Sequence, residues 1–510
     1  MDKLNCIKLS SWNRWATRFV AAPTWSWEAV PGAACYVVDL AGVHDTARRY
    51  RLQRPYFDMA PFWEQLHHGP VDLLIQALDA QDNALCSALH LRVHKVPGFA
   101  GDEQEPLAWV EAVRRNLAYL LAPARDPVAD YEQGLPRSCW SSFEDSVTGQ
   151  RVHLAYPALH HPSFILAFLT FAQRFPDDPL APEARRQARQ YGDWLLQHRL
   201  PADWMCSLFP YSTIQAGRFE GGIEGKNITL FRAARVGEAM LALYAAFGDA
   251  AYLDYARHLA DVFVRLQRED GSWPYRVDPR DGAVVESYTS NAITPARLFG
   301  LLEEIAPNAR YAQARRRAAQ WVLDNPVQTR LWQGMYEDVG EHEPYQNLQH
   351  WDTNETIRYL VHYRREVPQA VETAAALNRY IEDQFVVWQQ EESPVTVQCP
   401  TPAVLEQYLC YYPMEVHTGN WLLSLVALHQ ATGDGLYLHK GMAAANAIVR
   451  GQQANGAFST WGNDRRFGRP LNTRDWPGCN ACAVTALLRW DRYYRGAQAG
   501  EPEPLGLWGI

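Results

Sequence analysis

The sequence predicts a mainly α protein of six helical hairpins, preceded by a small all-β sandwich domain. Three observations predict it. Strand-like alternation is confined to residues 20–97, a helical period takes over from Leu107, and a helix-then-turn signature recurs down the rest of the chain.

Within residues 20–97, Trp25-Ser26-Trp27-Glu28-Ala29-Val30 and Cys35-Tyr36-Val37-Val38-Asp39-Leu40 read as two extended runs around a Pro31-Gly32 turn. Residues 71–78 and 88–96 read as a second hairpin, closed by Asp79-Ala80-Gln81-Asp82-Asn83. The spacing of Trp27, Gly32-Ala33 and Tyr36 resembles the first strands of a fibronectin type III module. That resemblance implies a spacer or packing partner with no chemistry of its own. Pro97-Gly98 through Glu105-Pro106 is acidic and rich in Gly and Pro, as linkers are. The expected domains are therefore 1–97, a linker at 98–106, and a helical domain at 107–510.

Apolar residues recur at helical spacing over 107–123, 162–175, 182–198, 227–247, 250–267, 291–305, 309–324, 353–364, 368–388, 418–433, 436–452 and 479–496. Two helix ends share a signature. Leu259–Gln267 runs into Asp270-Gly271-Ser272-Trp273, and Ala444–Gln453 runs into Asn455-Gly456-Ala457-Phe458. This helix, Asp/Asn-Gly, aromatic pattern resembles the hairpins of the six-hairpin glycosidases and the related lyases and epimerases. The resemblance implies an (α/α)6 toroid whose even-numbered helices form the inner ring. Even-to-odd connections are tight, as at Phe247-Gly248-Asp249-Ala250. Odd-to-even connections are long and rich in Trp, Tyr, His, Asp and Glu, so functional loops are expected to converge on one mouth.

Composition narrows the function. A net charge of −9 and a pI near 6.0 argue against non-specific nucleic-acid binding. No apolar run reaches the roughly 20 residues that span a bilayer, and Met1–Lys8 lacks the apolar core of a secretory signal. A cytoplasmic location is expected, or a periplasmic or secreted one if a leader precedes the sequence. Nine scattered cysteines argue for reduced thiols rather than a disulfide framework. The 19 Trp and 25 Tyr include many in loops, where aromatic faces suit sugar rings. HExxH, P-loop, GxSxG and EF-hand patterns are absent, and Cys479-Asn480-Ala481-Cys482 has no partner pair at zinc spacing. Neither metal nor cofactor is expected.

Three segments before inner helices carry the candidate chemistry. Arg218, Glu220, Glu224 and Lys226 share a Gly-rich run before the fourth helix, where Arg218 and Lys226 suit a substrate carboxylate. His350, Trp351 and Asp352 precede the eighth. Asp352 with Glu355 also fits an acidic capping box, and a helix N-terminus favours an ionised Asp352, hence a base or charge stabiliser. Tyr411, Tyr412, Glu415 and His417 precede the tenth; Glu suits protonation of a leaving oxygen, Tyr or His suits abstraction of a proton α to a uronate carboxyl. Asn291, Trp476 and the basic run holding Arg465, Arg466, Arg469 and Arg474 complete the mouth and suggest an anionic ligand.

Glycoside hydrolysis needs two carboxyl groups flanking the scissile bond, and Glu224 and Glu415 are the expected pair, with Asp352 third. The paired acids on this fold resemble the unsaturated glucuronyl hydrolases and other uronate-acting six-hairpin hydrolases. One departure is that the paired-aspartate signature of the unsaturated glucuronyl hydrolases is not evident, since Asp177-Asp178 falls in the wrong kind of loop, between an inner and an outer helix. A polysaccharide lyase or uronate C5-epimerase using Tyr411 or Tyr412, His350 or His417, and Asn291 is the alternative. A non-catalytic glycan-binding protein is a third reading. In each case the expected partner is an oligosaccharide or polysaccharide, with oligomeric state open.

Overall fold

The computed structural model describes residues 6–10, 17–98, 105–122, 143–145, 151–152, 154–212, 214–215, 227–334, 340–390, 397–460, 462–464, 469–470 and 474–501. In the N-terminal domain the strands are β1 (Arg18–Phe19), β2 (Thr24–Ser26), β3 (Cys35–Gly42), β4 (Arg48–Leu52), β5 (Tyr56–Asp58), β6 (Gly69–Leu78) and β7 (Leu89–Lys95). One sheet has the order β1-β7-β6-β3-β4, and β2 with β5 forms another. In the long β3–β6 ladder the alternate residues Val38, Leu40, Leu73 and Ile75 are buried, the period of two that the sequence showed.

The expected β6–β7 hairpin is present, with Val71 opposite Val93. The first expected hairpin is not. Gly32 does turn the chain at φ +82°, but β2 pairs with β5 instead of β3. Ring packing gives the reason: Trp27 meets Tyr36 edge-on at 5.3 Å, and Trp25 meets Phe19 at 6.5 Å, so these rings fill the space between two sheets. The expectation of reduced thiols also needs correcting. Cys6 and Cys86 form a disulfide across 80 residues of sequence, because the segment around Leu9 lies antiparallel to Trp27 and carries Cys6 to the β6–β7 side. Cys35, Cys206, Cys399, Cys479 and Cys482 are free thiols.

Among the described residues, twelve helices of twelve or more residues follow: α1 (Trp109–Leu121), α2 (Pro157–Arg174), α3 (Ala181–Gln197), α4 (Leu230–Phe247), α5 (Ala250–Leu266), α6 (Ile293–Ile305), α7 (Ala309–Asp324), α8 (Trp351–His362), α9 (Ala370–Gln384), α10 (Glu415–Thr432), α11 (Gly435–Arg450) and α12 (Pro477–Gln498). Each even helix packs on the next and α12 returns to α2, which closes an inner ring. α3, α5, α7, α9 and α11 each cover the inner helix before them, and α1 covers α12. Every residue from Leu230 to Leu241 of α4 and from Glu415 to Leu428 of α10 is buried, as a helix walled on all sides must be. An outer helix such as α3 buries one side, with Ala184, Ala188, Tyr191 and Leu195 along its centre and Ala181, Gln187, Gly192 and Trp194 beside them, and leaves Arg186 and Arg189 in solvent.

The recurring signature has a steric cause. Gly271 and Gly456 sit at φ +97° and +92°, and a Cβ on either would lie 2.4 or 2.5 Å from the backbone carbonyl of Arg317 or Arg115 on an adjoining outer helix. The aromatic that follows, Trp273 or Phe458, is then driven into the core. Tight even-to-odd turns end in aspartate caps: Asp249 accepts from the Ala251 N–H at 3.1 Å and Asp434 from that of Leu436 at 2.9 Å.

The β domain is seated on α9. Arg379 holds Asp58 of β5 bidentately at 2.6 and 2.9 Å, and Asp383 accepts the Thr24 backbone N–H at 3.1 Å. At Gly441 the outer and inner layers approach closely. A Cβ on Gly441 of α11 would lie 2.5 Å from the fully buried Trp490 ring of α12. Gly441→Ala should therefore lose about 1–3 kcal/mol by overpacking, outweighing the gain in helix propensity, and a denaturant-midpoint shift checks this. Among the described residues no helix is long and apolar enough to cross a membrane.

Candidate functional site

The inner helices bring their N-termini together at one end of the ring. Cys482 of α12 contacts Ser163 of α2 at 3.1 Å, Thr294 of α6 and Arg235 of α4 both reach Glu355 of α8, and Asn480 of α12 reaches Glu415 of α10. Each junction is polar on helices that are otherwise apolar. Buried polar groups need partners, so these contacts lock the relative rotation of the six helices.

Glu415 opens α10. A hairpin of Ala403–Gln407 and Cys410–Pro413 delivers it, with the Met414 N–H on the Val404 carbonyl at 3.1 Å and the Val404 N–H on the Thr418 hydroxyl at 3.1 Å. Its Oε1 accepts from Asn480 Nδ2 at 2.9 Å and more weakly from Thr460 Oγ1 at 3.4 Å. Its Oε2 is buried and has no protein partner among the described residues. Burial pushes the Glu415 carboxyl up to about 8, and the negative charge of Asp475 adds to the rise. At neutral pH this carboxyl holds a proton, the state of a general acid.

The histidines are neutral. His350, just before α8, bonds the Leu405 carbonyl through Nε2 at 2.9 Å and meets Asn354 Nδ2 through Nδ1 at 3.0 Å. Asn354 can only donate from that atom, so Nδ1 accepts and Nε2 carries the hydrogen. Burial lowers His350 to about 4. His417, one turn into α10, is driven well below its ordinary value by burial and by His350, whose ring centroid lies 4.9 Å away. Trp351 stands edge-on to His417 at 5.8 Å and packs with Met414, Val416, Cys479 and Cys482 in a small cluster separate from the main core.

Asp352 overturns an expectation. The helix N-terminus does not keep it ionised: burial first, then the charge of Glu355, raises it well above the usual carboxylate range. It does not cap α8 either, since His350 occupies the cap position and Asp352 Oδ2 accepts from the Gln349 amide at 2.8 Å. Asn291 lies buried in a single turn before α6, and its Oδ1 has no partner among the described residues. Tyr411 is half-buried against Tyr408 at 5.5 Å, Tyr412 on the same strand is exposed, and Trp476 is half-buried just before α12. Arg218, Glu220, Glu224, Lys226, Arg465 and Arg466 lie outside the described residues. Among the described residues no group of three or more His, Cys, Asp or Glu is placed to hold a metal ion.

No family model matches the chain, and no curated protein matches it by sequence. Solved structures do. A D-mannose isomerase aligns with a TM-score of 0.58 over 77% of this chain and 100% of that one, at 11% identity. A sugar epimerase from a ruminal bacterium gives 0.54 over 75% and 98% at 13% identity. A family 76 α-mannanase from Bacteroides thetaiotaomicron gives 0.52 over 78% and 99% at 11% identity. The fold is the (α/α)6 toroid.

Several residues that shape this toroid's mouth were passed over in the sequence. Asn480 sits between two cysteines and looked like part of a structural thiol pair; it is the amide that holds Glu415. Asn354, one turn into α8, fixes the His350 tautomer. Glu355, read only as a capping partner, accepts from Arg235 at 3.1 Å, Arg297 at 3.2 Å, Thr294 at 2.7 Å and Trp351 Nε1 at 2.9 Å. One signal was available: Arg232, Arg235 and Glu238 interrupt an apolar helix at every third position, which no solvated face explains.

Proposed function

We propose that the chain is a carbohydrate-active enzyme, a glycoside hydrolase in which Glu415 is the general acid. The observation that carries this reading is the buried, protonated Glu415 carboxyl, with one oxygen held by Asn480 and the other unpartnered at the mouth. Glu415 would place its proton on the glycosidic oxygen as the bond breaks. The second carboxyl is drawn from the adjoining helix entrances, Asp475, whose charge already bears on Glu415, or Asp352, or else is Glu224, which lies outside the described residues. Two carboxyls in unequal surroundings are what acid and base roles require. The isomerase, epimerase and mannanase above act on sugars by their names, which supports the substrate class. For a uronate-containing substrate the support is the basic run of Arg465, Arg466, Arg469 and Arg474, together with Arg232 buried at the α4 entrance 6.0 Å from the Tyr156 ring.

A second reading, epimerisation or isomerisation, is favoured by the neutral His417 ring between His350 and Trp351. An unprotonated imidazole can take a proton α to a carbonyl or carboxyl. One experiment separates the readings: incubation in D2O with neutral and uronate-containing oligosaccharides, followed by product analysis. New reducing ends without rising ultraviolet absorbance are the expected result. Deuterium incorporation at carbon with the chain intact would transfer the assignment to His417, and rising absorbance would indicate a lyase. Binding without turnover on any sugar, undiminished in Glu415→Gln, would leave a glycan-binding protein.

A further inference from the structure

Below the mouth, the toroid axis carries more positive charge than it can pair. Arg235 of α4, Arg297 of α6 and Arg358 of α8 share it with Glu238 of α4 and Glu355 of α8, and all five are buried. Arg297 bridges Glu355 at 3.2 Å and Glu238 at 3.5 Å, and Arg235 reaches Glu355 at 3.1 Å. Arg358 reaches neither carboxylate. Its Nη1 donates to the Asn420 carbonyl at 3.0 Å, to Asn420 Oδ1 at 2.8 Å and to Ser424 Oγ at 3.4 Å.

The unpartnered atoms in this cluster are mostly donors. Arg358 Nε and Nη2, Arg235 Nε and Asn420 Nδ2 are buried with no protein partner among the described residues. Glu238 Oε1 is in the same condition, and burial raises that carboxyl above its ordinary value, which weakens it as a counter-charge. An uncompensated buried guanidinium costs several kcal/mol, and surplus donors around a surplus cation call for an anion. Arg358 lies seven residues along α8 from Trp351, about 10 Å deeper at 1.5 Å per residue. That depth sets Arg358 below the mouth, while Arg235, 4.9 Å from the Trp351 ring, lies between the two.

We infer that the toroid axis binds one small monovalent inorganic anion, chloride or its equivalent, against Nε and Nη2 of Arg358, with Asn420 and Arg235 as further donors. The ion completes the charge balance of the ring and ties α4, α8 and α10 together.

The test is thermal melting of the full chain in sodium chloride, bromide or gluconate at one ionic strength, with diffraction from bromide-soaked crystals. A saturable rise of about 2 °C or more in the two halides, absent in the bulky gluconate, is expected from ligand linkage, with a bromide peak within hydrogen-bonding distance of Arg358. Glu238→Gln removes the competing carboxylate, so half-saturation should move to at least about threefold lower halide. Equal melting in all three salts for both proteins, or soaked crystals with no bromide on the axis, overturns the assignment. So does an undiminished halide effect in a folded Arg358→Met variant.

Discussion

Glu415→Gln should lower turnover by about two orders of magnitude or more, the usual contribution of a positioned general acid, while the protein stays folded. Gln keeps the shape and the Asn480 contact and removes only the proton. The wild-type rate should be steady below the Glu415 pKa of about 8 and fall above it, as the acid form is lost. Stability should follow the same group. Folding raises this carboxyl from its ordinary value, so the folded chain binds the extra proton and the associated stability is complete in mild acid. It is lost as pH rises through about 8. Melts at about pH 5 and about pH 9 should therefore converge in Glu415→Gln, relative to wild type. A variant with wild-type turnover on the substrate found by product analysis removes Glu415 from the chemistry.

Glu355→Gln should destabilise the toroid by about 3–5 kcal/mol, the cost of leaving buried charges uncompensated. Burial opposes ionisation of Glu355, yet Arg297, Arg235, Arg358 and the Thr294 hydroxyl together hold it below the ordinary carboxylate range. Removing that charge strands Arg235 and leaves Arg297 with Glu238 alone, both arginines about 2% exposed in the centre of the ring. Urea midpoints measure the loss. A change under about 1 kcal/mol would mean that water reaches the cluster. Thr294→Val, which removes one donor and leaves the charge, should cost less, about 1–3 kcal/mol.

Much of the fold was legible because burial imposes a period. All-round burial of α4 and α10 makes them apolar on every face but for a few buried polar residues, and the one-sided burial of α3 gives its stripe, so twelve helices could be counted before any contact was known. The repeated Gly271 and Gly456 were legible for a related reason: a backbone carbonyl presses on each, and no other residue fits. The β2–β5 pairing was not legible, because alternation shows which face of a strand is buried and says nothing about which strand lies beside it. Cys6 and Cys86 were hidden likewise, their approach depending on where the N-terminal segment is laid. At the candidate site, Glu415, His417 and Trp351 stand out in the sequence as polar or aromatic residues crowded at the starts of inner helices. Asn480 and Asn354 do not, since a buried amide is identified by its partner and not by its neighbours in sequence.

The sequence by itself determined the class of fold, the alternation of tight and long connections, and the helix entrances at which polar side chains gather. These follow from local rules: the helical period, the aspartate caps at Asp249 and Asp434, and glycines where nothing larger fits. Only the tertiary structure decided the protonation of those side chains. Asp352 at a helix N-terminus reads as ionised in one dimension and is raised in three, because burial and the neighbouring Glu355 outweigh the helix end. Glu415 becomes an acid, and the axis becomes positive, through charges and solvent exclusion contributed by other helices. Electrostatic energy depends on distance and solvent access, and neither is a property of position along the chain.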